Sequence, residues 1–136
     1  MIRIADILEQ KGDQVLTVTV DTPVARVAER MRLARVGAFV VSRDGVHVEG
    51  LVTERDVVYA LTVLGGSVVD APVSTVMTHP VLTCEPHDTV VSVLRELTRL
   101  RMRHLHVVER DRLCGLVSIG DLVKTFLDED VYTVRR

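Results

Sequence analysis

The residues of this chain best suited to chemistry come as a matched pair. Thr53-x-x-Asp56 and Ser118-x-x-Asp121 each set a hydroxyl three residues before a carboxylate. Each pair sits inside a longer shared phrase. Gly50-Leu51-Val52-Thr53-Glu54-Arg55-Asp56-Val57-Val58 returns as Gly115-Leu116-Val117-Ser118-Ile119-Gly120-Asp121-Leu122-Val123, at an offset of 65 (115 − 50). A short apolar run precedes each hydroxyl and a helical pattern follows, so the hydroxyl falls at a helix start. Two readings share that geometry. In the first, each pair is a capping box: the hydroxyl accepts from a first-turn N–H, and the carboxylate reaches back to the cap. In the second, the helix N-terminus receives a phosphate through its unpaired N–H groups and partial positive charge. The hydroxyl then donates to a phosphate oxygen, and the carboxylate accepts from two vicinal ribose hydroxyls. The same side chains can cap alone and turn to a ligand when one binds. The glycine before each strand lets another part of the chain approach closely.

Other candidate chemistry is thinner. Cys84-Glu85-Pro86-His87, with His79, His104, His106 and Cys114 elsewhere, invites a metal or redox reading. Zinc sites show closely paired ligands, and this single Cys-x-x-His has no second pair. Cys84 and Cys114 read as small buried residues rather than a disulfide framework. Arg95, Arg99, Arg101 and Arg103 read as a solvated face. Nucleophile elbow, Walker-type loop and repeated carboxylate–base spacing are all missing, so a non-enzymatic binding protein is expected. Net charge is −2 and aromatics are 3%, which argues against nucleic acid as a partner. Apolar runs fall short of the ~18 residues that would span a membrane. Asp6, Glu9, Lys11 and Asp13 break any signal-like N-terminus, so the cytoplasm is the expected location.

The elements that must position these residues also repeat. The 136 residues suit one domain or two very small ones. Halves of about 60 residues bury little alone, so they are expected to pack on each other. The apolar set is dominated by Val, which favours buried strands. The spacing predicts a helix over 1–12, a strand over 15–20, and a helix capped by Asp21 or Thr22 with the stripe Val24, Val27, Ala28, Met31. A strand over 37–41, an Arg43-Asp44-Gly45 turn and a return strand over 46–52 follow. The next helix opens at Thr53, carries Val57, Ala60, Leu61 and Leu64 on one face, and ends at Gly65-Gly66. The second half predicts a strand over 81–84, a helix capped by Asp88, strands over 105–108 and 113–117, and a helix from Ser118 through Leu127. A shift of 67 places Asp21-Thr22 on Asp88-Thr89 (88 − 21) and Val40-Val41 on Val107-Val108, so the second hairpin reads two residues shorter. The fold class is α/β (α+β), with strand, helix, strand, strand, helix twice. The boundaries are 1–66 for the first unit, 67–74 for a linker and 75–136 for the second.

Order and motif together resemble a tandem pair of CBS (cystathionine β-synthase) domains, over essentially the whole chain. Val76-Met77-Thr78-His79-Pro80-Val81 is similar to the start of a second CBS repeat, and Arg103-His104-Leu105-His106-Val107-Val108 to its central strand. Residues 115–124 are similar to the end of that repeat in stand-alone bacterial proteins. The resemblance implies two β-α-β-β-α repeats in a pseudo-twofold Bateman module. It also implies a regulatory, energy-sensing role with an adenosyl ligand in the cleft between repeats: AMP, ADP, ATP, NAD(H) or S-adenosylmethionine. A homodimer joined through its helices and an unidentified protein partner belong to the same expectation. It gives Asp56 and Asp121 the ribose, and Thr53 and Ser118 ribose or phosphate. Backbone of Thr17, Val18, Gly37 and Ala38 would frame one base, and that of Thr83, Cys84, Arg103, His104 and Leu105 the other. Arg55 is placed to reach a phosphate where its counterpart is Gly120. Arg103 precedes the second central strand where its counterpart is read as Val36. His106 stands where the family often has proline. The alternative is a ligand-free assembly module whose motifs are caps only, or a redox or metal sensor.

Overall fold

Short β-branched runs separated by amphipathic segments dictate alternating strands and helices. The computed structural model describes residues 1–12 and 14–135, with side chains through residue 128; Asp13 and Arg136 lie outside the described residues. Among these, five α-helices and two three-stranded sheets form a mixed α+β fold in two compact units.

The Val15–Val81 unit holds β1 (Thr17–Val18), α2 (Val24–Ala34), β2 (Ala38–Val41), β3 (Gly50–Thr53) and α3 (Glu54–Leu64). Strand β1 pairs parallel with β2, which needs the crossover that α2 supplies. Strand β3 returns antiparallel to β2, with Ala38 opposite Thr53. Val18, Val27, Met31, Phe39, Val41, Val52 and Val73 form the core. The Arg30 guanidinium lies 4.9 Å over the Phe39 ring and donates to the Thr17 carbonyl at 3.0 Å.

The other unit joins Met1–Gln14 to Leu82–Arg136. It holds α1 (Ile4–Lys11), β4 (Thr83–Cys84), α4 (Val90–Leu100), β5 (His104–Glu109), β6 (Arg112–Ser118) and α5 (Ile119–Arg135). The sheet repeats the first, with β4 parallel and β6 antiparallel to β5. Ile4 and Ile7 of α1 are buried with Val90, Val93, Leu97, Leu105, Val107, Val117 and Leu122.

The structure differs from the sequence reading in several places. Helix α1 belongs with residues 82–136, because burying Ile4 and Ile7 completes that core. The residues read as a linker, 67–74, run through two 3-10 turns, Gly66–Asp70 and Val73–Thr75, that bury Val68 and Val73 in the Val15–Val81 unit. Strand β1 is only two residues long, because Thr19, Asp21 and Thr22 bond one another and turn the chain. Asp21 and Thr22 therefore do not cap α2, whose N-cap is Pro23. Thr89 caps α4 in place of Asp88, accepting from the Ser92 N–H at 3.1 Å, while Asp88 bonds the Glu85 N–H. The return strand starts at Gly50, since Ser42 and Asp44 hold residues 45–47 in a loop. Of the expected α3 stripe, Ala60 is buried and Val57 half-buried, but Leu61 and Leu64 are exposed.

Register also corrects the internal alignment. Thr17 opposes Val40, and Thr83 opposes His106, an offset of 66 (83 − 17) in both strands. Helices α2 and α4 end at Arg35 and Arg101, both left-handed at φ 56 and again 66 apart (101 − 35). The shift of 67 was one residue too long, and the second hairpin is one residue shorter, not two. Its tip, Arg110-Asp111, has positive φ at both positions, the tight two-residue turn that permits such trimming.

Candidate functional site

Both hydroxyl–carboxylate pairs land at a β3–α3-type junction and close as capping boxes. The Thr53 hydroxyl oxygen accepts from the Asp56 N–H at 3.2 Å, and Asp56 Oδ2 accepts from the Thr53 N–H at 2.8 Å. The Ser118 oxygen accepts from the Asp121 N–H at 3.1 Å, and Asp121 Oδ2 accepts from the Ser118 N–H at 2.9 Å. Each carboxylate therefore sits at a helix N-terminus where negative charge is favoured. The strand-side backbone is matched as well. The Glu54 N–H donates to the Gly37 carbonyl at 3.0 Å, and the Ile119 N–H to the Arg103 carbonyl at 2.8 Å. Arg103 thus corresponds to Gly37 and not to Val36.

The chain segments leading into the two repeats make the remaining contacts. The Val73 N–H bonds the Thr22 carbonyl at 2.7 Å, and the Ile4 N–H bonds the Asp88 carbonyl at 2.9 Å. Val73 and Ile4 are therefore equivalent, as are Met77 and Leu8 four residues on. A Cβ on Gly50 would stand 2.6 Å from the Met77 sulfur, and one on Gly115 would stand 2.5 Å from a Leu8 methyl. Both motif glycines exist to admit this segment.

Beyond that point the units diverge. Residue Thr78 is extended, bridges Leu51 through both backbone groups, and donates its hydroxyl to Asp56 Oδ1 at 3.1 Å. Helix α1 instead continues to Lys11, whose ammonium reaches the Leu116 carbonyl at 2.8 Å and Asp121 Oδ2 at 2.7 Å. Burial pulls the Asp121 carboxyl upward, but the Lys11 and Ser118 hydrogen bonds outweigh it and hold it below the usual carboxylate value.

The other expected site residues are placed as follows. Thr17 is half-buried and Val18 buried in the β1–β2 pair, so Val18 offers only backbone to a ligand. Ala38 and Leu105 are buried; Gly37 and His104 are half-buried at their strand starts. Thr83, Arg55 and Arg103 are exposed. Burial, with Asp88 and Glu85 adding to it, pushes the Cys84 thiol up to about 12, which suppresses the thiolate that metal or redox chemistry needs. Among the described residues, the cluster able to hold a cation is Glu85, His87 and Asp88, without either cysteine. It is a surface turn in which His87 Nε2 lies 3.0 Å from Glu85. An open pocket of about 490 Å³ in the Val15–Val81 unit lies beside Arg32, Arg35, Val36, Gly37 and Glu54, and takes in neither Thr53 nor Asp56.

A family model described as "CBS domain" matches residues 4–63 and again 73–128. The chain belongs to the CBS domain family. It is 31% identical to the mitochondrial CBS domain-containing protein CBSX3 of Arabidopsis thaliana, over 93% of this chain and 65% of that protein. It is 30% identical to the CBS domain-containing protein YhcV of Bacillus subtilis, over 80% and 76%. A crystal structure of a CBS-domain containing protein from Agrobacterium tumefaciens superposes with TM-score 0.87 at 36% identity, covering 90% of this chain and 98% of that one. A putative signal-transduction protein with CBS domains from Burkholderia ambifaria gives 0.86 at 34% identity, covering 93% and 94%.

Sequence reasoning found each CBS motif but missed Thr78 and Lys11, the groups that meet the two carboxylates. The signal for them was the motif glycine, which announces a close neighbour without naming it.

Proposed function

We propose that this CBS pair is a non-enzymatic regulatory module that binds an adenosyl ligand, with Asp56 and Asp121 toward ribose and Thr53 and Ser118 toward ribose or phosphate. The observation that carries the reading is Asp56 Oδ1. The cap holds Oδ2, while Oδ1 faces a side-chain hydroxyl, that of Thr78. A ribose hydroxyl can replace that donor without breaking the cap. Two proteins of the same fold support the ligand class at fold level only. One, from Pyrobaculum aerophilum, was solved complexed with AMP, at 24% identity. The other is a CBS domain pair solved with 5′-methylthioadenosine and S-adenosyl-L-methionine, at 18% identity. Arg55, exposed on α3, is the proposed phosphate partner. A ligand regulates only through its difference in affinity between two arrangements of the protein.

The test is a thermal-shift series with AMP, ADP, ATP, NAD(H) and S-adenosylmethionine, with GMP as the base control. At 100 times its dissociation constant, a ligand adds about 2.7 kcal/mol to folded stability. A selective rise that Asp56→Ala reduces, and that Asp56→Ala with Asp121→Ala abolishes, is the expected result. No rise with any of them at millimolar concentration overturns the reading.

A second reading rests on the exposed apolar residues Val58, Tyr59 and Val63 of α3. They suit a module that associates with a second copy through its helices while the motifs serve as caps. It predicts melting that depends on protein concentration and ignores every nucleotide. No helix among the described residues is long and apolar enough to cross a membrane.

A further inference from the structure

We propose that Lys11 is an internal competitor for the second motif: its ammonium holds Asp121 closed, so that Asp56 is the stronger ribose-binding carboxylate. This rests on the proposed adenosyl-binding reading and adds to it which site fills first and why.

The two carboxylates have the same local cap but different opponents. Asp56 Oδ1 faces a neutral hydroxyl that can be exchanged for another hydroxyl at little cost. Asp121 Oδ2, which also accepts the Ser118 cap bond, faces a cation 2.7 Å away, so a vicinal diol that uses both carboxylate oxygens meets the ammonium there. Charge-assisted hydrogen bonds are shorter and stronger than neutral ones, so an uncharged diol cannot replace this donor evenly. Lys11 is also held at a second point, the Leu116 carbonyl at 2.8 Å, which aims the ammonium at the motif. That carbonyl matches Leu51, whose partner is the Thr78 backbone N–H. The helical course of α1 carries the backbone away from the strand, and the lysine side chain reaches where a backbone bridge would otherwise form. A structural substitution has thereby put a positive charge on one of two carboxylates whose local caps match.

The pair is partly exposed, with 41% of the Lys11 and 28% of the Asp121 side chain open to solvent. An ion pair of that exposure is worth up to about 1 kcal/mol, or about fivefold in affinity. The probe is adenosine, which has the diol and no phosphate that could itself attract Lys11. Calorimetry on an Asp56→Ala chain reads the Asp121 site alone. Adding Lys11→Met, or Lys11→Gln as a second neutral variant, should tighten adenosine about fivefold, and Lys11→Arg should not. Unchanged or weaker binding in both neutral variants overturns the proposal and assigns Lys11 a structural role. If the chain with Asp56 intact binds adenosine but the Asp56→Ala, Lys11→Met chain does not, Asp121 is no ribose site and the proposal fails while the wider reading stands. If no variant binds adenosine or AMP, both fall together. A carboxyl titration of Asp121 by NMR, which should move upward in Lys11→Met, confirms without any ligand that the ion pair has been removed.

Discussion

The segments that lead into the two repeats, around Ile4–Lys11 and around residues 71–78, perform one task with two conformations. Each drops an aliphatic residue into a core, Ile4 in one unit and Val73 in the other. Each lays a flexible side chain over a motif glycine, Leu8 on Gly115 and Met77 on Gly50. They part at the last step, where one is helix and the other extended. The extended segment satisfies Leu51 with backbone and Asp56 with a hydroxyl. The helix satisfies Leu116 and Asp121 with a single ammonium. The difference teaches that the partner each motif carboxylate meets is decided outside the repeated motif. It is set by the secondary structure of a segment that a motif alignment ignores.

The strongest way to break the equivalence of the two segments is to empty their core positions. Ile4 and Val73 are both fully buried. Ile4→Ala should cost about 3 kcal/mol, because deleting three buried carbons leaves a cavity as well as lost transfer energy. Val73→Ala removes less and should cost about half as much. Chemical denaturation of the two variants checks the order. Equal and negligible effects would show that these segments do not anchor their units.

The glycines offer a finer comparison. A Cβ at Gly50 would meet the Met77 sulfur at 2.6 Å and also the Thr78 carbonyl at 3.1 Å. At Gly115 the three nearest atoms are all of the Leu8 side chain, the closest at 2.5 Å. A side-chain end can swing aside, whereas the Thr78 carbonyl is tied into its bridge with Leu51. Overpacking of this kind costs about 1–3 kcal/mol. Gly50→Ala should fall at the upper end and Gly115→Ala at the lower, read as melting temperatures. The reverse order would mean that α1 is the stiffer of the two segments.

Much of this was legible in the residues. The doubled Gly-x-x-[Ser/Thr]-x-x-Asp phrase gave both strand-to-helix junctions and both caps, because hydroxyl, spacing and carboxylate are all local. The repeat offset of 67 rests on two local identities, Asp21-Thr22 with Asp88-Thr89 and Val40-Val41 with Val107-Val108, and the strand register, which pairs Val40 and His106 with equivalent partners, follows neither. The stripe on α3 misled for a different reason. Periodicity shows that a face is apolar, but Leu61 and Leu64 show that this unit leaves much of it exposed. The position of α1 was hidden most completely. Its amphipathic pattern demands a core, and nothing in residues 1–12 says that the core lies beyond residue 82.

The smallest effect is the most direct measure of the difference between the two carboxylates. Asp121 is held below its ordinary value of 3.8 by Lys11 and Ser118 acting against burial. A depressed folded pKa contributes stability that is complete above the unfolded value. It is lost as pH falls from about 4 through the folded value. Lys11→Met should therefore melt slightly below the wild type at pH 7, by the up to about 1 kcal/mol of an exposed ion pair. The gap should narrow as pH falls below about 4 and Asp121 gains its proton, and narrow again in concentrated salt at pH 7 as the charges are screened. Thr78→Val removes a neutral donor from Asp56, and its gap from the wild type should not respond to salt. If the two variants showed the same salt response, the ammonium and the hydroxyl would be interchangeable, and the asymmetry between the sites would be one of geometry and not of charge.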